Sequence, residues 1–433
     1  MTAPTKRAVF RPVGPLRGRV RVPADKSITQ RALLVGAVGD GVAEIAGPLW
    51  AGDPAATTGM LEALGVRVER EAGGRTARVH GVGLRGLRPP AGPLDAHNSG
   101  TGMRLLAGLL TGQEGRFVLD GDESLRRRPM DRIVEPLRLM GGRVGARDGR
   151  YAPLVIEGGE VRPLEYRLPV ASAQVKSCLL LAGLFADGET VVVEPAPTRD
   201  HTERLLAAAG VPVVVAGERV AVRGVTRLRV ERVDVPGDIS SAAFLVAAAV
   251  TVPGSELELL DVGLNPTRCG FLKVARRMGA DVDWNVERES AGEPRGTVTV
   301  RASRLRGVEV AAGEIPSLVD EVTLVALLAT AAEGETVVRG VGELRAKESD
   351  RLDAIVHIVL GLGGDAESDG DALLVRGRAL RGGVITSRGD HRLALLGAVA
   401  GLACPQGVAI DGFEAAAVSF PDFEPILREV VAA

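Results

Sequence analysis

Residues 322–341 read VTLVALLATAAEGETVVRGV, a run apolar at nearly every position and then Gly334 opening a short β-branched segment. A helix that is apolar all round is a buried helix rather than an amphipathic surface one. A glycine followed by Glu-Thr-Val-Val marks the turn into a strand. The same phrase recurs five more times, as ALLVGAVGDGVAEI (32–45), MRLLAGLLTGQEGRFVLDG (103–121), CLLLAGLFADGETVVVEP (178–195), AAFLVAAAVTVPGSELELLDV (242–262) and LALLGAVAGLACPQGVAIDGF (393–413). Its strand-opening glycines, Gly41, Gly115, Gly188, Gly254, Gly334 and Gly407, stand roughly 70 residues apart. A second helix follows each strand and closes on glycine, in LEALGVRV (61–68), PLRLMGGRV (136–144), LLAAAGVPV (205–213), VARRMGADV (274–282) and HIVLGLGGDA (357–366). The sixth second helix, FPDFEPILREVVAA (420–433), ends the chain before its strand. LRGRVRVP (16–23) is the expected substitute. Alternating helices and strands make an α/β layer architecture. Six such units exceed one hydrophobic core, so two lobes of three are expected.

The 433 residues are 45% hydrophobic and 25% charged with a formal net charge of −2, so no global basic field draws nucleic acid or a membrane surface. The Ala/Leu runs are interrupted by glycine and charge and do not read as membrane spans, and the N-terminus lacks an apolar leader core. A cytoplasmic protein is expected. Cys178, Cys269 and Cys404 are widely spaced, and the five histidines form no HxxxH or HExxH pair, so neither a disulfide framework nor a metal site is indicated. Only five of the 53 basic residues are lysine: Lys6, Lys26, Lys176, Lys273 and Lys347. Where arginine supplies almost every positive charge, a lysine is a candidate for work that needs a compact ammonium. Lys176, inside an apolar helix, either lines a site or snorkels.

Each first helix is preceded by a polar turn: VPADKSITQR, AHNSGTGMR, LPVASAQVKS, VPGDISS, IPSLVDE and SRGDHR. A helix start offers unpaired N–H groups and the positive end of the helix dipole, a ready anion site. The ordinary explanation for Asn98, Thr101, Thr202, Asp238, Asn265 and Asp422 is N-capping. Arginine at a helix start opposes the dipole, so Arg126, Arg127 and Arg128 in succession call for a compensating anion or carboxylate. Cationic helix starts with interleaved Asp53, Asp320, Glu321, Glu348 and Asp350 point to small anionic substrates and an acid/base pair. There is no GxxxxGK[ST] loop.

Ten ordered motifs resemble those of the 5-enolpyruvylshikimate-3-phosphate synthases, a branch of the enolpyruvyl transferases. They are DKSITQR (25–31), NSGTGMR (98–104), SLRRRPM (124–130), ASAQVKS (171–177), TRDHTER (198–204), VPGDISSAAF (235–244), NPTR (265–268), PSLVDE (316–321), RAKESDR (345–351) and GDHR (389–392). The resemblance runs from about Arg11 to the C-terminus. It implies two lobes of three βαβαββ units with buried helices, the inside-out α/β barrel of that family. One lobe would hold residues 23–236, the other 1–22 with 237–433, and the active site would lie in the cleft between them.

The resemblance also implies the chemistry. The 5-hydroxyl of shikimate 3-phosphate adds to C2 of phosphoenolpyruvate while C3 is protonated. Phosphate then leaves the tetrahedral intermediate, with no metal or organic cofactor. Asp320 is expected to take the hydroxyl proton and Glu348 to exchange the C3 proton, with Lys26 close to both substrates. Shikimate 3-phosphate would be held by Lys26, Ser27, Arg31, Ser172, Ala173, Gln174, Arg199, Asp320 and Lys347. Phosphoenolpyruvate would meet Lys26, Gly100, Arg128, Gln174, Arg351 and Arg392. Many relatives carry arginine where this chain has Ser124 and lysine where it has Val418, which throws more of the phosphoenolpyruvate charge onto Arg128 and Arg392. The partners are then the two small substrates alone, acting on a monomer. Two rivals are weighed: a UDP-N-acetylglucosamine enolpyruvyl transferase, and a non-catalytic repeat protein that binds phosphate. The first typically carries an acid in a glycine-rich loop, often a cysteine, and no cysteine here sits in one. The second leaves Lys26, Asp320, Glu348 and Arg392 without a purpose.

Overall fold

The computed structural model describes residues 6–432. Met1–Thr5 and Ala433, assigned above to the second lobe, lie outside them. Among the described residues the α-helices come in six pairs: α1 (Lys26–Ala37) with α2 (Gly52–Ala63), α3 (Gly100–Thr111) with α4 (Asp131–Leu139), α5 (Ala173–Gly183) with α6 (His201–Ala208), α7 (Ile239–Thr251) with α8 (Gly270–Arg277), α9 (Val322–Thr330) with α10 (Arg351–Gly361), and α11 (His391–Ala403) with α12 (Phe423–Ala432). The first member of each pair is the Ala/Leu-rich one, and burial follows composition. Every residue of α9 is buried, as is α7 from Ile239 to Val250 and α11 from His391 to Leu402. Second members are two-faced: α8 buries Phe271, Leu272, Val274 and Ala275 while Lys273, Arg276 and Arg277 face solvent. Their terminating glycines, Gly65, Gly141, Gly210, Gly279 and Gly363, all have positive φ, the left-handed conformation that ends a helix without Cβ strain.

The first helix of each pair packs on its own small sheet. In the first sheet Val42–Ala46 is flanked by a parallel Arg232–Asp234 and an antiparallel Thr76–His80, with Arg67–Arg70 outermost. The second sheet repeats this order with Leu94–Asp95, Gly115–Asp120, Tyr151–Gly158 and Arg143–Arg147. Third and fifth sheets do the same around Glu189–Val193 and Glu335–Val338.

The expected role of the N-terminal strand is corrected by the register. Arg17–Arg21 lies parallel to Glu256–Gly263 in the fourth sheet, while the sixth sheet is completed by Arg7–Phe10, antiparallel to Val408–Asp411. Phe10 explains the choice. It is buried with its ring 4.9 Å from that of Phe413 and 5.9 Å from that of Phe423.

The chain divides into two compact units. The inner unit, named for its place in the chain, comprises Ala24–Val235 with Glu289–Glu293; the outer unit comprises the described residues of 6–23, 236–288 and 294–432. Each has its own core, one built on α1, α3 and α5 and the other on α7, α9 and α11. No helix among the described residues is long and apolar enough to cross a membrane.

Candidate active site

In the inner unit the polar turns meet where α1, α3 and α5 begin. Asp25 caps α1 by accepting from the Ile28 N–H at 2.8 Å, which leaves Lys26 as the first helical residue. The Lys26 ammonium lies 3.0 Å from Asp53 in the first turn of α2. One turn on, Arg31 is buried; it donates to the Ser27 carbonyl (3.0 Å), Thr202 Oγ1 (2.8 Å) and Ser177 Oγ (3.2 Å). Burial pulls its pKa down to about 10, against the opposing pull of Glu203 and Asp25. Ser172 caps α5 by accepting from the Val175 N–H at 3.4 Å, so Ala173 opens that helix. Arg199 stands just before Asp200, which holds the N-cap position of α6.

Gly100 opens α3 behind the cap Ser99, which accepts from the Gly102 N–H at 3.0 Å. A Cβ on Gly100 would come within 2.9 Å of the Arg104 guanidinium and 3.2 Å of that of Arg128. The two cations thus flank this backbone, and a methyl group there would have to displace the end of the Arg104 side chain. Arg128 donates to Asn98 Oδ1 at 2.6 Å and reaches Ser124 Oγ at 3.5 Å. Arg126 and Arg127 turn to the surface instead, onto Asp120 (2.6 Å) and Glu123 (2.9 Å). These carboxylates are the compensation that the three-arginine run demanded.

Arg104 closes the NSGTGMR motif, and the resemblance implies no role for it. It is buried, donates to the Gln174 side-chain oxygen and to the Pro129 carbonyl at 3.1 Å, and so bridges the α5 start to the Arg128 segment. Its position, one helical turn after Gly100, was the available signal. Several expected caps do other work instead, because Ser99 caps α3, Asp200 and Cys269 hold the N-cap positions of α6 and α8, and Thr101 and Thr202 lie inside their helices. Asn98 serves Arg128, Thr101 accepts from Gln174 at 2.9 Å, and Thr202 accepts from Arg31, whereas Asp238 does cap, taking the Ser240 N–H at 2.8 Å.

In the outer unit a single guanidinium organises the carboxylates. Arg351 opens α10, is 1% exposed, and donates to Asp390 (2.8 Å), Asp320 (3.1 Å) and Glu348. Burial alone would lower its pKa, but Asp390, Glu348 and Asp320 together raise it, so it stays charged. Asp390 is fully buried and caps α11 through the Arg392 N–H at 2.9 Å. Desolvation opposes its ionisation, yet Arg351 holds its carboxyl below the usual range. Arg392 sits 3.5 Å from Asp320 and 3.7 Å from Glu321. Glu321 accepts from Ser240, which in turn accepts from Arg268 at 2.8 Å, so VPGDISS, NPTR and PSLVDE form one buried network behind Asp320. Lys347 lies 3.6 Å from Glu343. Thus Asp320, Glu348, Arg351 and Arg392 are brought together here, with Lys347 on the turn before them. Lys26, Ser27, Arg31, Gly100, Arg128, Ser172, Ala173, Gln174 and Arg199 belong to the inner unit. Lys176 neither lines these groups nor snorkels. It is buried against Glu194 and Glu203.

Two repeat-built α/β units, one with cationic helix starts and the other with three carboxylates on a buried arginine, carry the groups that a transferase of small anionic molecules needs. The chain belongs to the EPSP synthase (3-phosphoshikimate 1-carboxyvinyltransferase) family, whose sequence profile matches residues 10–427. It is 51% identical over 424 residues to the 3-phosphoshikimate 1-carboxyvinyltransferase of Thermus thermophilus, with 98% of each chain covered. With the enzyme of the same name from Methylococcus capsulatus it shares 48% over 418 residues, covering 96% of this chain and 95% of that one. The fold matches EPSP synthase from Acinetobacter baumannii with a TM-score of 0.87 at 38% identity, over 98% of both chains. The α/β class and the transferase activity expected from the motifs are those of the family.

Proposed function

We propose that this protein transfers the enolpyruvyl group of phosphoenolpyruvate to the 5-hydroxyl of shikimate 3-phosphate and releases phosphate, as a cytosolic monomer whose two units serve one pair of substrates. The observation that carries the chemistry is the pairing of Asp320 and Glu348 on one buried Arg351. Two proton movements need two positioned groups, and here two carboxylates share one anchor. The carboxylate of phosphoenolpyruvate competes for Arg351. As it takes the place of Glu348, that side chain loses a cation and gains an anion beside it, which favours its protonated form. Glu348 then delivers its proton to C3 while the hydroxyl oxygen bonds to C2 and Asp320 receives the hydroxyl proton. In the second half C3 returns a proton to Glu348, the C2–O bond to phosphate breaks, and phosphate departs with the electron pair. Arg128, Arg392 and Lys26 neutralise phosphoenolpyruvate, in keeping with Gly100 leaving its backbone open beside Arg104 and Arg128. Ser172, the Ala173 N–H, Arg199 and Lys347 take the shikimate 3-phosphate phosphate, Ser27 and Arg31 its carboxylate, and Gln174 its ring.

Phosphate release from phosphoenolpyruvate is the test, with shikimate 3-phosphate or UDP-N-acetylglucosamine as acceptor. Turnover is expected with the first only. Turnover with the second, or none with the first, overturns the assignment.

A further inference from the structure

Lys176 was singled out by its rarity, and the assigned chemistry does not use it. Its backbone lies in the first turn of α5, with its N–H donating to the Ser172 carbonyl at 3.0 Å. Its ammonium is 1% exposed, 2.8 Å from Glu194 and 2.6 Å from Glu203, and reaches the Thr198 carbonyl at 3.4 Å. Thr198 in turn donates its hydroxyl to Glu194. The next residue is Arg199. Beyond it each neighbour is also tied down. Asp200 accepts from Arg204 (2.9 Å), His201 Nδ1 meets Glu293 (2.7 Å), and Thr202 links Arg31 to Ser177.

Besides Lys347, two arms within the inner unit are assigned to the substrate phosphate: the α5 start with Ser172 and Ala173, and the 194–203 segment with Arg199. We propose that Lys176 is a positioning residue for that phosphate, its backbone built into one arm and its ammonium gripping the other, so that one side chain sets the spacing between them. This rests on the function proposed above. Burying one ammonium and two carboxylates is a costly way to fill space, because well-packed apolar residues serve stability as well or better. The cluster even carries an excess carboxylate, and burial pushes the Glu203 carboxyl above its usual range despite Lys176. What charge provides and an apolar side chain lacks is a directed grip on Glu194, Glu203 and the Thr198 carbonyl together.

Calorimetric affinities for shikimate 3-phosphate and for shikimate, with steady-state kinetics, test this on the full chain. The variants are Lys176→Met and the charge-free Lys176→Met/Glu194→Gln/Glu203→Gln, which leaves no buried charge unpaired if the single variant does not fold. The wild-type preference for the phosphorylated acceptor should shrink by about tenfold or more in whichever variant folds. KM for shikimate 3-phosphate should rise in step, while KM for phosphoenolpyruvate and kcat stay within about threefold. A folded variant that keeps the wild-type preference, or loses affinity equally for both acceptors, overturns the proposal. Failure of both variants to fold overturns it too, by making the cluster a folding requirement. A wild-type chain that does not bind shikimate 3-phosphate removes the functional reading itself, and is distinguishable because no variant is needed to see it.

Discussion

Arg351 shows how one side chain fixes several others. Its planar fork presents donors in a fixed geometry to three carboxylates at once, where lysine would offer a single compact ammonium. Asp320 is the partner assigned to the hydroxyl proton. Asp320→Ala is therefore expected to lower kcat by about 10²–10⁴-fold while shikimate 3-phosphate still binds; near-normal turnover would refute the role. Asp390 is the structural partner, and its depressed pKa sets the sign of its pH effect. A carboxylate whose folded pKa lies below its unfolded value of about 4 stabilises the protein above that pH and loses this contribution as pH falls through the folded value. Asp390→Asn should then cost about 3–5 kcal/mol near neutrality, with the difference narrowing below about pH 4. Thermal melts of both proteins across that range would show it, and a pH-independent difference would contradict it. Arg128 was legible in the sequence because a run of cations just before a helix breaks a local rule, whereas Arg31 and Arg351 were reached through the family motifs that contain them. Arg104 was not, since an arginine one turn inside an apolar helix breaks no rule until Gln174 and Pro129 are seen beside it.

At the scale of elements, the six Ala/Leu-rich helices are legible because composition alone tells a helix buried all round from one with a solvent face. Their closeness is not legible. Gly108 in α3 faces the backbone of α5, where a Cβ would sit inside the Cys178 carbonyl. Alanine there gains about 1 kcal/mol of helix propensity. Against that, the neighbour is backbone in a packed core, where overpacking costs roughly 1–3 kcal/mol or more. Gly108→Ala is expected to be net destabilising, with a lower midpoint in urea; an unchanged or raised midpoint would mean the two helices can separate freely. Capping shows the same boundary of legibility. Asp238 caps as its sequence context predicts, whereas Asn98 and Thr202 had eligible positions but accept from arginines distant in the chain.

For the whole molecule, two separate cores mean that damage to one need not reach the other. Arg7–Phe10 completes the sixth sheet in the outer unit, and Phe10 packs against the rings of Phe413 and Phe423. Deleting residues 1–10 strips that sheet of its antiparallel edge strand and opens the aromatic cluster. Exposing a Phe side chain costs about 1.5–3 kcal/mol before the lost strand is counted. Calorimetry of the shortened chain is expected to show one transition moved down by several degrees while a second, belonging to the inner unit, stays in place. A uniform downward shift would show that the units unfold as one.

Composition and period alone determined the six repeats, their buried helices and the cationic character of the helix starts, because each depends on neighbours within a turn or two of chain. Tertiary structure decided which strand closes which sheet, since Arg7–Phe10 and Arg17–Arg21 are both short segments and only the places where Phe10 and Val20 are buried tell them apart. It also decided the partners of the charges. Lys176 between two glutamates and Arg351 among three carboxylates depend on residues brought from other helices and turns. In a buried site, the free energy of a charge is set by whichever groups surround it, not by its place in the sequence.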